Sequence, residues 1–431
     1  MIAAHLRTPI IYNLFPKIVG PVDRWPVHAE RAAGMSFNWL YINPIHEPGM
    51  SGSLYAIKHY DRVNPEFLPE GTRQQELTLL VPVVQAIEAC GLHVMIDLVV
   101  NHTAIDSPLV TEHPEWFRRD EAGQILHPYA IDPDDPHKKE VWGDLAEVDN
   151  EASPDREGLW EFWGRLVDTY LDLGFTGFRC DAAYKVPVAL WQMLIARARR
   201  RNPEALFWAE NLGCTIEQTR ALRAAGFQFF CNSSKWWNFS DRWCLDQHRE
   251  FEDVPSVSFP ETHDTERLAA ESGGSEAVQR QRYAFAATFS AGLMIPIGYE
   301  YGFRRRLHVV HTRPSDWESA SFDLTAFITS VNRLKLSMPL LQDEGRLDLH
   351  DHAHPIMILK RQSSLAPNEQ GGILVNRQAR ESQSLTRSAL PAELRGGSQY
   401  RLSLLDRYPE PNEMPVEVVL EPAEVDVIVA G

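Results

Sequence analysis

The chain has 431 residues, 44% of them hydrophobic, enough length for two or three domains and enough apolar side chains for a sizeable core. Its 42 Lys and Arg against 59 Asp and Glu give a net charge of −17, which argues against nucleic-acid and anionic-membrane partners and suits a neutral ligand such as a sugar. Five cysteines dispersed at 90, 180, 214, 231 and 244 argue against a disulfide framework and a zinc cluster. There is no apolar run of 18 residues, and Met1 to Pro9 lack a signal-peptide core, so the expected location is the cytoplasm.

Residues 10–15 are a short apolar run and predict a first strand. A helical pattern over 27–33 ends at Gly34, and 37–43 predict a second strand, stopped by Pro44. The loop that follows is polar and carries His46, Gly49, Gly52, Tyr55 and Tyr60. A helix over about 73–90 stops at Gly91. Residues 92–102 form an apolar strand in which polar residues arrive only at the end. Residues 103–150 lose the rhythm, rich in Pro, Asp, His and aromatics, and predict an inserted subdomain. After a helix over 159–173, the stretch Gly177-Phe178-Arg179-Cys180-Asp181 predicts a buried fourth strand, followed by a helix over 188–201. Strands five to eight fall at 205–211, 227–232, 256–259 and 293–297, with a helix over 276–290. From about 341 the helical period gives way to apolar alternation at 355–359, 371–375, 400–405, 416–420 and 425–429.

The predicted fold is α/β: a (β/α)8 TIM barrel with a short inserted subdomain after strand 3 and a C-terminal antiparallel β domain. The barrel takes residues 1–102 and 151–340, the insert 103–150, and a C-terminal β-sandwich 341–431. An open doubly wound sheet is less favoured, because no phosphate-cradling glycine pattern follows the first strand.

In a barrel, chemistry sits at the C-terminal strand ends. There the chain delivers Asn43, then Asp97, Asn101 and His102, then Arg179 and Asp181, then Glu210, then Glu261, Thr262, His263 and Asp264. So many carboxylates on one rim exceed what a core tolerates without a function. Glycoside hydrolysis uses such a set, one carboxylate as nucleophile and one carboxylic acid to protonate the leaving oxygen. Strand alternation puts Arg179 and Asp181 on one face, which keeps Asp181 ionised, and Cys180 on the other as an inert buried thiol. The apolar Phe207-Trp208-Ala209 approach raises the pKa of Glu210 and favours its protonated form. Arg179 and Asp181 alone also read as a structural salt bridge, and His102 alone as a strand-end hydrogen-bonder.

Four stretches in order, Asp97-Leu98-Val99-Val100-Asn101-His102, Gly177-Phe178-Arg179-Cys180-Asp181, Ala209-Glu210-Asn211 and Phe259-Pro260-Glu261-Thr262-His263-Asp264, resemble the signature regions of the α-amylase superfamily of retaining α-glycosidases and transglycosylases. The resemblance implies Asp181 as nucleophile, Glu210 as general acid/base and Asp264 as the acid that binds sugar hydroxyls and stabilises the transition state. It implies Arg179, His102 and His263 around the reacting sugar, Tyr55 as a stacking tyrosine and Asp97 as a supporting acid. The implied substrate is an α-glucan or malto-oligosaccharide. No cofactor is required. Calcium is the one metal the family suggests, with Asn101 and Asp144 matching ligand positions, two donors where calcium takes six to eight.

The chain also departs from the family. Tyr184 and Lys185 stand where many calcium-dependent α-amylases carry Lys-His. The segment Thr111-Glu112-His113-Pro114-Glu115-Trp116-Phe117 resembles that of maltosyltransferases using maltose 1-phosphate and, more loosely, of trehalose synthases, while the surroundings of Asp181 follow those maltosyltransferases less closely. Trp236 and Trp237 read as core or loop packing, with a sugar platform as the alternative. Arg304, Arg305 and Arg306 read as a solvated face, or as a phosphate site if they point at the mouth. The leading functional expectation is a retaining α-glycoside hydrolase working through a covalent glycosyl-enzyme. The alternatives are a transglycosylase or maltosyltransferase, or a trehalose-synthase-type isomerase. A non-catalytic glucan-binding protein is remote, since both catalytic carboxylates are kept.

Overall fold

In a computed structural model, which describes residues 4–131, 139–350, 354–403 and 410–430, the eight expected strands all form and close on one another. They are β1 (Ile10–Leu14), β2 (Trp39–Ile42), β3 (His93–Leu98), β4 (Gly177–Cys180), β5 (Leu206–Ala209), β6 (Phe229–Cys231), β7 (Ser256–Ser258) and β8 (Gly292–Pro296). Each pairs in parallel with its sequence neighbours, and β8 pairs with β1 to close the barrel. Both strand faces are apolar because both are covered. Trp39, Tyr41, Met95, Trp208 and Met294 fill the inside, while Ile96, Phe178 and Cys180 point out to the helices. Gly177 opens β4 because a Cβ there would lie 2.6 Å from Cζ3 of Trp39 and 3.0 Å from Cβ of Met95.

The outer helices are α1 (Trp25–Gly34), α2 (Val81–Ala89), α3 (Arg156–Asp172), α4 (Val188–Arg201), α5 (Ile216–Leu222), α6 (Trp243–Glu250), α7 (Glu276–Phe289) and α8 (Thr325–Ser337). Asp155 caps α3 by accepting from the Gly158 amide. Two boundaries differ from expectation. The α-helix expected from 73 starts at Val81: Pro82 suits its first turn, a 3-10 turn over Leu77–Leu80 leads into it, and before that the Val63 amide is bonded to the Gln75 carbonyl. Strand β3 stops at Leu98. Residues His102–Ala104 then turn away to pair antiparallel with Leu145–Glu147, tying the start of the insert to its end.

The C-terminal part holds β9 (Arg346–Leu349), β10 (Ile356–Gln362), β11 (Gln370–Asn376), β12 (Gln383–Thr386), β13 (Ser398–Arg401), β14 (Asn412–Glu413), β15 (Glu417–Leu420) and β16 (Val425–Val429). One sheet has the order β9-β10-β11-β16-β13-β14, and β12 pairs with β15. Ile356, Ile358, Leu374, Leu385 and Val418 pack between them. The strand expected over 400–405 is seen as Ser398–Arg401, and its end, 404–405, lies outside the described residues. Among the described residues no helix is long and apolar enough to cross a membrane.

Candidate active site

The site grows from one register. On neighbouring strands Arg179 stands opposite Asp97, both facing in. The Arg179 guanidinium, 5% exposed, lies 2.9 Å from Oδ1 of Asp97, 2.5 Å from Oδ1 of Asp181 and 3.8 Å from Oε2 of Glu210. A buried cation is stable only with such partners. Burial disfavours its charge, but Asp97, the tyrosines and Asp181 outweigh that and hold its pKa well above the ordinary value. Asp97 is fully enclosed. It also accepts from the Tyr41 hydroxyl and, at 2.7 Å, from the Tyr55 hydroxyl. Burial pushes its pKa up against the pull of Arg179.

Asp181 sits just past the tip of β4, its amide bonded to the Leu98 carbonyl at 3.1 Å. The next residue, Ala182, adopts a left-handed conformation at φ 41°, costly for a residue with a Cβ. That turn aims two amides at Glu210: Ala182 N meets its Oε2 at 3.0 Å and Ala183 N its backbone carbonyl at 2.9 Å. Oε1 of Glu210 accepts from Leu212 N at 2.6 Å. Burial dominates even so, and the repulsion of Asp181 adds to it, while Arg179 and the amides oppose; the carboxyl is pushed up to about 7. This is the direction its apolar approach predicts.

Across the mouth, the Asp264 amide bonds the Thr262 hydroxyl at 3.1 Å, and Asp264 Oδ2 lies 3.0 Å from Nε2 of His263. The Asp264 side chain is open to solvent. The cleft walls around it take some of its hydration and oppose its charge, but His263, Arg179 and Arg306 prevail and hold the carboxyl low, at about 2. The Tyr55 ring stacks on His263 at 5.8 Å and 7°, and its hydroxyl reaches Nε2 of His263 at 2.7 Å. His102 meets the Tyr55 carbonyl through Nε2 at 3.1 Å. Burial lowers the His102 pKa, so the ring is neutral at pH 7. A cavity of about 20 Å³, room for about one water, lies among Arg179, Trp208, Glu210, Phe259, His263 and Asp264.

The strand ends therefore bring together Asp181, Glu210, Asp264, Arg179, Asp97, His102, His263 and Tyr55. Glu261 is different: it is 1% exposed and held by Arg267 at 2.7 Å and by the Leu268 amide at 2.6 Å, a structural acid. Trp237 is core, while Trp236 is 52% exposed. Of the arginine run, Arg305 pairs with Asp316, and Arg306 reaches the site, donating to the Asp264 carbonyl at 2.7 Å. Tyr41 and Asn43 complete the network, since Asn43 Nδ2 donates to both tyrosine hydroxyls at 3.1 Å. Strand alternation, which faces Tyr41 the same way as Asn43, was the signal available for that tyrosine.

Asn101 has a buried Oδ1 without a partner, which is a free oxygen donor. Asp144 offers a backbone carbonyl already bonded to Ile105 N at 2.8 Å. Among the described residues the one His, Cys, Asp and Glu group that converges to metal-binding spacing is His113, Glu115 and Asp155, elsewhere in the insert. Asn101 and Asp144 alone do not meet calcium's requirement for six to eight oxygens.

A closed parallel barrel with ion-paired carboxylates at its C-terminal rim is an arrangement that glycoside chemistry can use. The glucanotransferase domain of glycogen debranching enzyme matches residues 6–125. An α-1,4-glucan:maltose-1-phosphate maltosyltransferase of Burkholderia pseudomallei (strain K96243) is 26% identical over 349 residues, 79% of this chain and 30% of the relative. That of Corynebacterium glutamicum is 28% identical over 391 residues, 79% of this chain and 54% of the relative. The chain thus spans about a third to a half of the length of these curated relatives. In structure it is similar to an α-amylase from Lactobacillus plantarum, with TM-score 0.77, 21% identity and full coverage of both chains. It is likewise similar to the α-glucosyl transfer enzyme XgtA, with TM-score 0.78, 16% identity and full coverage of both chains. In sequence and in fold the chain is thus similar to proteins of the α-amylase superfamily. Its sequence relatives are named as maltosyltransferases, the transferase activity that stood as the alternative to the hydrolase expectation.

Proposed function

We propose that this protein transfers an α-glucosyl or α-maltosyl group between α-glucans with retention of configuration. The observation that carries the reading is the single guanidinium of Arg179 joining Asp181 and Glu210, with Glu210 raised to about 7. Two carboxylates on one cation are close neighbours, which suits attack by a carboxylate rather than by a water held between them. Glu210 in its protonated form gives its proton to the leaving oxygen. Asp181 attacks the anomeric carbon, forming an ester as the glycosidic bond breaks. Glu210, now a carboxylate, removes the proton of an acceptor hydroxyl, which displaces Asp181 and restores the starting configuration. Asp264, open and ionised, would grip sugar hydroxyls, and Arg179, His102, His263 and Tyr55 would surround the reacting sugar. The names of the sequence relatives support transfer. The second reading, hydrolysis with water as acceptor, is favoured by the likeness in structure to an α-amylase. The test is incubation with maltotetraose, and separately with maltose 1-phosphate plus maltotetraose, followed by chromatography and proton NMR. Longer chains with new α-bonds are expected. Shorter α-sugars alone would move the function to hydrolysis, and no reaction with any α-glucan or glucosyl phosphate would overturn both.

A further inference from the structure

An acid that protonates a leaving oxygen has to be aimed as well as protonated. The Glu210 carboxyl is gripped from two sides: Leu212 N donates to Oε1 at 2.6 Å and Ala182 N to Oε2 at 3.0 Å. Leu212 lies in the same loop as the acid, so its amide travels with it. Ala182 belongs to the loop after β4 and ties the carboxyl to the strand that leads into Asp181. Its left-handed backbone, at φ 41°, is costly for a residue with a Cβ and lasts where neighbouring bonds over-determine it. Three of those bonds are main-chain. Ala183 N donates to the Glu210 carbonyl at 2.9 Å, and Lys185 N and Val186 N close the turn on the Ala182 and Ala183 carbonyls at 2.9 and 3.3 Å. The fourth comes from a side chain: the Trp191 indole donates from Nε1 to the Ala183 carbonyl at 2.9 Å.

Trp191 stands near the start of α4, fully buried, with its ring edge-on to Phe227 at 5.4 Å. Helix packing therefore fixes where its N–H points. Ala183 is buried as well, so its carbonyl depends on protein donors, and the indole supplies the shorter of its two bonds. From the indole the contacts run through the Ala183 carbonyl and the left-handed residue to the Ala182 amide, and from there to the carboxyl. We infer that Trp191 is a positioning residue for Glu210: its indole N–H pins the Ala183 carbonyl, and the pinned turn keeps the Ala182 amide on the Glu210 carboxyl. An amide bonded to a carboxyl favours the charged form. With the turn loosened, the Glu210 carboxyl should hold its proton to higher pH and present it in a less fixed direction. The effect on rate rests on the function proposed above; the effect on the carboxyl does not.

The test compares the full chain with Trp191→Phe, which keeps an aromatic ring and removes the donor. Trp25→Phe is the control, since Trp25 is equally buried and its indole donates to the Gly20 carbonyl at 3.0 Å, away from Glu210. Each chain is labelled with carbon-13 at its glutamate carboxyls and titrated by NMR, the Glu210 signal being the one missing from Glu210→Gln. Trp191→Phe is expected to raise the Glu210 midpoint by about one pH unit, the scale of one hydrogen bond to a carboxylate. With maltotetraose as substrate, the basic limb of kcat/KM should move up with it and kcat should fall about tenfold, with KM little changed. Trp25→Phe should lose melting temperature and leave the midpoint and the limb in place. A Glu210 midpoint within about 0.2 unit of the starting protein in Trp191→Phe would overturn the inference and leave the indole a packing group. Where Trp191→Phe does not fold, a benzothiophene side chain at 191, of the indole's shape with sulfur in place of N–H, decides by the same titration. If the starting protein turns over no α-glucan, the proposed function has failed, and the titration alone decides the positioning role.

Discussion

At the scale of single residues, Glu210 carries a pH signature. Its ordinary value is 4.5 and burial lifts it to about 7. A reaction that needs its proton should lose kcat/KM above about pH 7, and Glu210→Gln should abolish that basic limb while lowering the rate by about 10²- to 10⁴-fold. The same shift predicts a stability effect. Below pH 4.5 the group is protonated folded and unfolded. Between 4.5 and about 7 the unfolded chain releases the proton and the folded chain keeps it, so stability falls as pH rises, then levels off. The full effect is up to about 3 kcal/mol at about 1.36 kcal/mol per pH unit. Glu210→Gln should therefore gain on the starting protein at pH 8 but not at pH 4, measured by urea midpoints. The sequence announced this direction through Phe207, Trp208 and Ala209. It did not announce the left-handed Ala182, whose strain comes from the closeness of two strand tips that only the closed barrel creates. Nor did the strand pattern separate Glu261 from Asp264: both follow β7, and it is the way the loop folds back, bringing Arg267 and the Leu268 amide onto Glu261, that holds that one inside.

At the scale of elements, the eight strands were legible because each is a short apolar run ended by polar residues, a pattern that burial on both faces forces. The end of β3 was not, since Val99 and Val100 are as apolar as the strand before them, and what stops the ladder is the pairing of His102–Ala104 with a segment some forty residues on. Strand β4 depends on Gly177. Gly177→Ala would press a methyl against Trp39 and Met95, and overpacking of this kind costs about 1–3 kcal/mol. Because β4 also places Arg179 and Asp181, thermal melting should show the loss together with a reduced kcat. The loop after β8 acts on β7 through Arg306, which donates to the Asp264 carbonyl at 2.7 Å and lies 3.3 Å from Glu266. Arg306→Ala is expected to lower kcat about tenfold through a loosened Asp264 turn, with little change in melting temperature, because a half-exposed arginine contributes little to stability. Arg306→Lys, keeping a donor, should recover part of the rate.

At the scale of the whole molecule, the C-terminal β domain is built into the foot of the barrel. Glu344 accepts from Ser256 N at 2.8 Å and Ala291 N at 3.2 Å, the entries of β7 and β8. Arg361, on β10, is 1% exposed and donates to the carbonyls of Leu340, Phe289 and Asp343. Lys335 is fully buried and donates to Ala287, Ser290 and Leu341 at 2.8, 2.7 and 2.6 Å; burial drives its pKa well down. Three of these carbonyls belong to the end of α7 and the turn after it, which lead into β8, so the last strand of the barrel is held by groups outside it. Sequence patterning marked a change of domain near residue 341 but showed no such dependence, since a buried Arg or Lys looks like any surface charge until the fold closes over it. A chain ended at residue 340 would lose Glu344 and Arg361 and leave the Phe289 carbonyl and the β7 and β8 amides without partners, each at about 1–3 kcal/mol. Against the 5–15 kcal/mol typical of a folded domain, that loss together with the apolar face stripped bare is expected to unfold the barrel. The truncated chain should give no near-ultraviolet circular dichroism and no activity, while the full chain should unfold in urea in one transition seen equally by fluorescence and far-ultraviolet signal. A soluble, active 1–340 fragment would show instead that the barrel closes by itself and that these contacts only fasten a separate domain to it.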